Sequence, residues 1–149
     1  MPTRPTPLTA AAGEYFVAHT LSVQGYCVGI PRANTPGVDL LVSNQSGSKT
    51  VAIQVKTSDW AYRERKRKPE ESHWEWDVGA KALDLRSDNL IYAFVDLKSG
   101  GNPDVFLVPS KTVAGFLGKE WKRYMFWIWT KDKDKYFARW DMLRERLAD

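Results

Sequence analysis

Pro36-Gly37-Val38-Asp39-Leu40-Leu41-Val42-Ser43 and Thr50-Val51-Ala52-Ile53-Gln54-Val55-Lys56-Thr57-Ser58 are the two runs whose reading decides how this chain folds. The second alternates with a period of two. Val51, Ile53, Val55 and Thr57 face one way, and Ala52, Gln54, Lys56 and Ser58 the other. The stretch 38–43 also reads as a strand, and the connection Asn44-Gln45-Ser46-Gly47-Ser48 is rich in turn formers, so an antiparallel hairpin is expected. Asp39 interrupts an otherwise apolar strand, while Gln54 and Lys56 share one strand face two residues apart. Pairing of the two strands brings Asp39 beside both.

Upstream, the first seven residues hold three prolines and read as a loose arm, with Thr6-Pro7 as a helix cap followed by proline at the first helical position. A helix is expected from there to about Gln24, with Gly25 as its stop. Its apolar stripe, Ala10, Val17 and Leu21, also carries Glu14. A carboxylate on a buried stripe costs on the order of several kcal/mol unless something neutralises it. The helix can therefore lay Glu14 over Asp39, Gln54 and Lys56. A plainer reading makes Glu14 an exposed helix carboxylate, Asp39 a cap at a strand edge, and Gln54 with Lys56 a solvated strand face.

Chemistry has a use for the first arrangement. Carboxylates hold a hard cation such as Mg²⁺, which prefers oxygen ligands. The Gln54 side-chain carbonyl or the backbone carbonyl of Val55 can complete the ligand set. A cation held there lowers the pKa of a water and offsets charge building on a phosphodiester, and a nearby lysine orients that water and steadies the anionic transition state.

With these residues in this order, the segment 8–58 resembles the PD-(D/E)XK nuclease superfamily, and in particular its Holliday-junction-resolvase-like branch with an added helix glutamate. The resemblance implies a restriction-endonuclease-like core of class α/β (α+β), a central mixed β-sheet flanked by α-helices. It implies Asp39 as main metal ligand, Glu14 as second acidic ligand, Lys56 as catalytic lysine, and Mg²⁺ or Mn²⁺ as cofactor. The superfamily usually has an acidic residue where this chain has Gln54. That removes one negative charge, which Glu14 can restore. The expected activity is metal-dependent endonucleolytic hydrolysis of DNA, and the alternative is a nuclease-fold protein that binds nucleic acid without cutting it.

Downstream, the stretch 59–77 is charged, aromatic and aperiodic and reads as a long excursion, followed by a short helix over 79–87. Residues 90–97 and 104–108 are strand-like, 110–117 a short helix, 121–129 an aromatic last strand, and 134–147 an amphipathic helix with Phe137, Trp140, Leu143 and Leu147 on one stripe. Cys27 is expected to be buried in a short strand. The order of elements predicts one mixed α/β domain over residues 1–149.

Composition narrows the partners. The net charge of +4 favours an anionic partner. The run Arg63-Glu64-Arg65-Lys66-Arg67-Lys68 offers Arg63, Arg65, Lys66, Arg67 and Lys68 as phosphate contacts, or else is a solvated loop. Trp60, Tyr62, Trp74 and Trp76 flank it and either stack on unpaired bases or cover a sheet edge. Trp127 and Trp129 alternate with Phe126 and Ile128, apolar on both faces, as in a dimer interface or a fully buried strand. One cysteine forbids an intramolecular disulfide, and with two histidines it argues against structural zinc. No run approaches the ~20 apolar residues that span a bilayer, and the N-terminus lacks a signal-peptide core, so a cytoplasmic location is expected. Cutting both strands of a duplex calls for a homodimer, because one site cuts one strand.

Overall fold

The computed structural model describes residues 4–32, 35–117 and 123–149. The decisive hairpin forms as its pattern requires. Strand β1 (Cys27–Gly29) pairs antiparallel with β2 (Leu40–Ser43), which pairs antiparallel with β3 (Thr50–Ser58) in the register Leu40 to Ile53. A five-stranded mixed sheet then continues through β6 (Leu90–Asp96), parallel to β3, and β7 (Asp104–Pro109), antiparallel to β6, in the order β1-β2-β3-β6-β7. All seven residues of β6 are buried. A strand covered on both faces loses its alternation and reads as a continuous apolar run.

The two faces of this sheet hold two cores. On one, Val51, Ile53 and Val55 of β3 and Ile91, Ala93 and Val95 of β6 pack under Val17 and Leu21 of α1 (Thr6–Val23) and Leu143 and Leu147 of α4 (Asp141–Leu147). On the other, Tyr92, Phe94, Phe106 and Val108 meet α2 (Ser110–Leu117) and a second sheet of three strands. That sheet has the order β4 (Tyr62–Arg63), β5 (His73–Asp77) and β8 (Met125–Trp129), all antiparallel.

Several expectations need correction. Helix α1 takes in Thr6, and no side chain caps it; Pro5 enters extended and supplies the turn into the helix. Its buried stripe is Gly13, Val17 and Leu21, while Ala10 is exposed and Glu14 borders the stripe, half-buried. The stretch 59–77 contains β4 and β5, which pair with each other, and β5 also pairs with β8 some fifty residues later, a partnership that no local periodicity can display. Within it Trp76 is core, its indole N–H donating to the Val95 carbonyl, and Tyr62 packs on Trp74, whereas Trp60 is exposed. The expected helix over 79–87 shrinks to a 3-10 turn, Ala80–Leu83. The last strand covers Met125–Trp129, with Phe126 and Ile128 inward; Trp121 lies outside the described residues. Cys27 is exposed, because β1 is an edge strand whose outer positions face solvent.

The expected C-terminal helix is broken in two. Helix α3 (Lys133–Tyr136) stops, and Ala138 takes a φ of 50° before α4 begins. The break lets Phe137 join the Phe106 side of the sheet while Trp140, Leu143 and Leu147 serve the opposite core. One continuous helix would keep all four on one stripe and could reach only one of those cores.

Candidate active site

Helix α1 approaches β3 through Gly13. A Cβ at that position would lie 1.8 Å from the Thr57 hydroxyl oxygen, so only glycine permits this separation. The close approach carries the next residue, Glu14, to the end of the sheet where β2 begins. There Gly37, with a φ of 72° and Leu85 packed against it, turns the chain into β2.

Asp39 is fixed from two sides. Its N–H donates to the Ile53 carbonyl at 2.8 Å, and its Oδ2 accepts from the Val55 N–H at 2.7 Å. It thus sits one residue beyond the Leu40–Ile53 pair, at the register position opposite Gln54. Glu14 and Asp39 line a common cleft of about 450 Å³ with Ile30, Arg32 and Thr35. Burial pushes the Glu14 carboxyl above its ordinary value, and the neighbouring Asp39 charge adds to the rise. Burial also pushes Asp39 up; the Val55 N–H and the Lys56 ammonium pull it partly back.

Gln54 and Lys56 stand on the opposite face of β3 from Val55, both half-buried, and line a second cavity of about 520 Å³. Pro36 and Gly37, the segment from Val78 to Ala82, Leu85 and Tyr92 complete its wall. Gln54 Oε1 is buried without a hydrogen-bond partner, and so is the hydroxyl of Tyr92, its neighbour across the β3–β6 pair. Burial pushes the Tyr92 phenol up to about 12.

The structure therefore brings Glu14, Asp39 and Lys56 into electrostatic contact, with Gln54 and Val55 alongside Asp39. Among the described residues no three His, Cys, Asp or Glu side chains gather into a metal cluster. Two carboxylates lining one cleft, both raised by burial, plus an orphaned amide oxygen, nevertheless make a donor set suited to a hard cation with oxygen ligands.

The basic run divides. Arg63 is held in β4 by Glu75 at 3.1 Å and donates to the Trp60 and Tyr62 carbonyls. Lys68 pairs with Glu71 at 3.5 Å. Arg65, Lys66 and Arg67 are exposed in a loop anchored by the Ser72 hydroxyl, which accepts from the Arg65 N–H. Sequence reasoning missed Gly13 and Tyr92. The signals were present: a glycine inside a helix, and one hydroxyl in a strand otherwise free of polar side chains until Asp96.

The fold is similar to that of the structure of a bacterial homing endonuclease, I-Ssp6803I, with a TM-score of 0.66 over 98% of this chain and 96% of that one, at 13% sequence identity. No known family model matches the chain, and no curated protein matches it in sequence. Among the described residues no helix is long and apolar enough to cross a membrane.

Proposed function

We propose that this chain is a PD-(D/E)XK-type, metal-dependent deoxyribonuclease whose site is Glu14, Asp39, Gln54 and Lys56. The observation that carries the reading is the pair Glu14 and Asp39, two carboxylates on different elements that line one cleft, with the Asp39 charge close enough to raise Glu14 and Lys56 on the adjacent strand close enough to lower Asp39. Such repulsion is maintained at a cost to folding, and a cation held by these carboxylates would relieve it. Asp39, Glu14 and the Gln54 oxygen would hold a Mg²⁺ or Mn²⁺ ion, with the Val55 carbonyl as a further donor. A bound ion of this kind supplies a water of lowered pKa and offsets charge on a phosphodiester.

The chain's own groups perform the rest. The Val55 N–H donates to Asp39 Oδ2 and so fixes the orientation of the carboxylate that would hold the ion. Lys56 places its ammonium beside Asp39, where it can orient the attacking water and draw the anionic phosphate into the cleft. Arg65, Lys66 and Arg67 add sequence-independent contact to the DNA backbone.

The test is incubation of the purified chain with linear, circular and branched DNA and Mg²⁺ or Mn²⁺. Cleavage is expected, with Asp39→Ala and Lys56→Ala each reducing it by at least a hundredfold. Cleavage surviving either change would remove the site assignment. Gln54 in place of a carboxylate supports a second reading, a nucleic-acid binder without turnover. Calorimetry with Mn²⁺ separates the two, since metal held through Asp39 and Glu14 favours the enzyme and none, even with DNA present, favours the binder.

A further inference from the structure

The cleft that holds Glu14 and Asp39 contains one more charged group. Arg32 lines it from the loop that leads out of β1, through Ile30 and Pro31, and round to β2. Lys56 lines the neighbouring cavity instead, so among the described residues on the walls of this cleft Arg32 is the one cation. Its main chain is held in place. The Arg32 carbonyl accepts from the Thr35 N–H at 3.2 Å and from the Thr35 hydroxyl at 2.7 Å, which closes a turn on the cleft wall. Its side chain is exposed and, among the described residues, has no ion-pair or hydrogen-bond partner.

A guanidinium sharing a cleft with two carboxylates ordinarily pairs with one of them, because its planar fork matches their two oxygens. Here it pairs with neither, and neither carboxyl is drawn down by its charge. The fork therefore stands apart from both acids, on a cleft of about 450 Å³ that leaves room for an anion. A phosphodiester offers the same fork two non-bridging oxygens.

We propose that Arg32 grips the non-bridging oxygens of the phosphate that is cut, as a catalytic residue beyond Glu14, Asp39, Gln54 and Lys56. The inference rests on the nuclease reading and deepens it. In the hydrolysis, a water oxygen bonds to phosphorus and gives up a proton to solvent, the P–O bond to one sugar oxygen breaks, and that oxygen takes up a proton. The phosphate passes from one negative charge towards two. Two N–H donors aimed at those oxygens are therefore stronger partners in the transition state than in bound DNA.

The test compares the unaltered chain with Arg32→Ala and Arg32→Lys, both at an exposed position whose carbonyl contacts to Thr35 remain. Single-turnover cleavage with Mg²⁺, at saturating protein, should fall about a hundredfold in Arg32→Ala. It should fall roughly tenfold in Arg32→Lys, which keeps the charge and loses the fork. Added methylguanidine should restore part of the Arg32→Ala rate. In EDTA, where nothing is cut, anisotropy with labelled duplex should show the salt slope lowered by about 1 in Arg32→Ala and kept in Arg32→Lys. Mn²⁺ affinity by calorimetry and the melting temperature should not move in either variant. A saturating rate within about threefold of the unaltered chain in Arg32→Ala would overturn the inference, since Arg32 then meets a flanking phosphate or none. So would a loss of rate that follows a loss of Mn²⁺ affinity, because the effect then passes through the carboxylates. Either result leaves the nuclease reading standing, whereas an unaltered chain that cuts no DNA with any metal would overturn both.

Discussion

Gly13 of α1 lies against Thr57 of β3 so closely that a Cβ on residue 13 would stand 1.8 Å from the threonine oxygen. This contact sets the height of α1 over the sheet and carries Glu14 to Asp39.

Gly13→Ala is accordingly expected to destabilise the chain, although alanine is the better helix former by about 1 kcal/mol. Overpacking of this kind costs ~1–3 kcal/mol. Adding Thr57→Ala removes the oxygen and methyl but leaves the Thr57 Cβ at 2.8 Å, so recovery should be partial. Urea unfolding of the single and double variants checks this, and a neutral Gly13→Ala would show that α1 is not seated by this contact.

Metal binding should be visible as stability. A cation at a hundred times its Kd adds ~2.7 kcal/mol to a state it binds selectively. For a chain near this length that corresponds to on the order of 5–10 °C in Tm. Melting curves with Mn²⁺ and with EDTA should differ by that amount in the unaltered chain. The difference should nearly vanish in Glu14→Gln and Asp39→Ala.

The same carboxylates predict a pH dependence in the metal-free chain. Both are held above their ordinary values when folded, so folding favours their protonated forms. That contribution is fully present below the unfolded carboxylate values of ~4 and is lost as pH rises through the folded values. In EDTA, Glu14→Gln should therefore be more stable than the unaltered chain at pH 7–8, and the gap should narrow as pH falls towards ~4.5. A gap that is constant with pH, or of opposite sign, would contradict the placement of Glu14 beside Asp39.

DNA binding should lose salt sensitivity when the exposed loop cations are removed. Each phosphate contact contributes about 0.9 to the slope of log affinity against log salt on duplex DNA. The triple change Arg65→Ala, Lys66→Ala, Arg67→Ala should lower that slope by ~2–3, equally for unrelated sequences. Arg63→Ala should instead act on folding, because Arg63 is tied to Glu75 within the second sheet.

Ala138 sits in the left-handed region, with a φ of 50°, while its N–H donates to Val105 at 2.8 Å. A non-glycine residue there carries ~1–2 kcal/mol of strain, partly offset by the greater freedom glycine has in the unfolded chain. Ala138→Gly should stabilise the chain by up to ~1 kcal/mol in urea unfolding, with DNA cleavage unchanged.

Much of this was legible because it is local. Two alternating strands and a Gly/Ser/Asn turn gave the hairpin, and one carboxylate in an apolar strand gave Asp39 its place opposite Gln54. The second sheet was not legible, since β5 finds its partner in β8 only through the chain's long return. The C-terminal helix misled because its apolar spacing is helical, yet Phe137 and Leu143 serve cores on opposite faces of the sheet.

The sequence by itself determined the alternating hairpin, the elements of the central sheet, and the chemical identities Glu14, Asp39, Gln54 and Lys56. Only the tertiary structure decided that Glu14 faces Asp39, that Arg63 belongs to Glu75, and that Tyr92 is left with an unanswered hydroxyl beside Gln54. Strand faces follow from the geometry of consecutive residues, whereas helix height, cross-sheet partners and cavities depend on how distant segments pack.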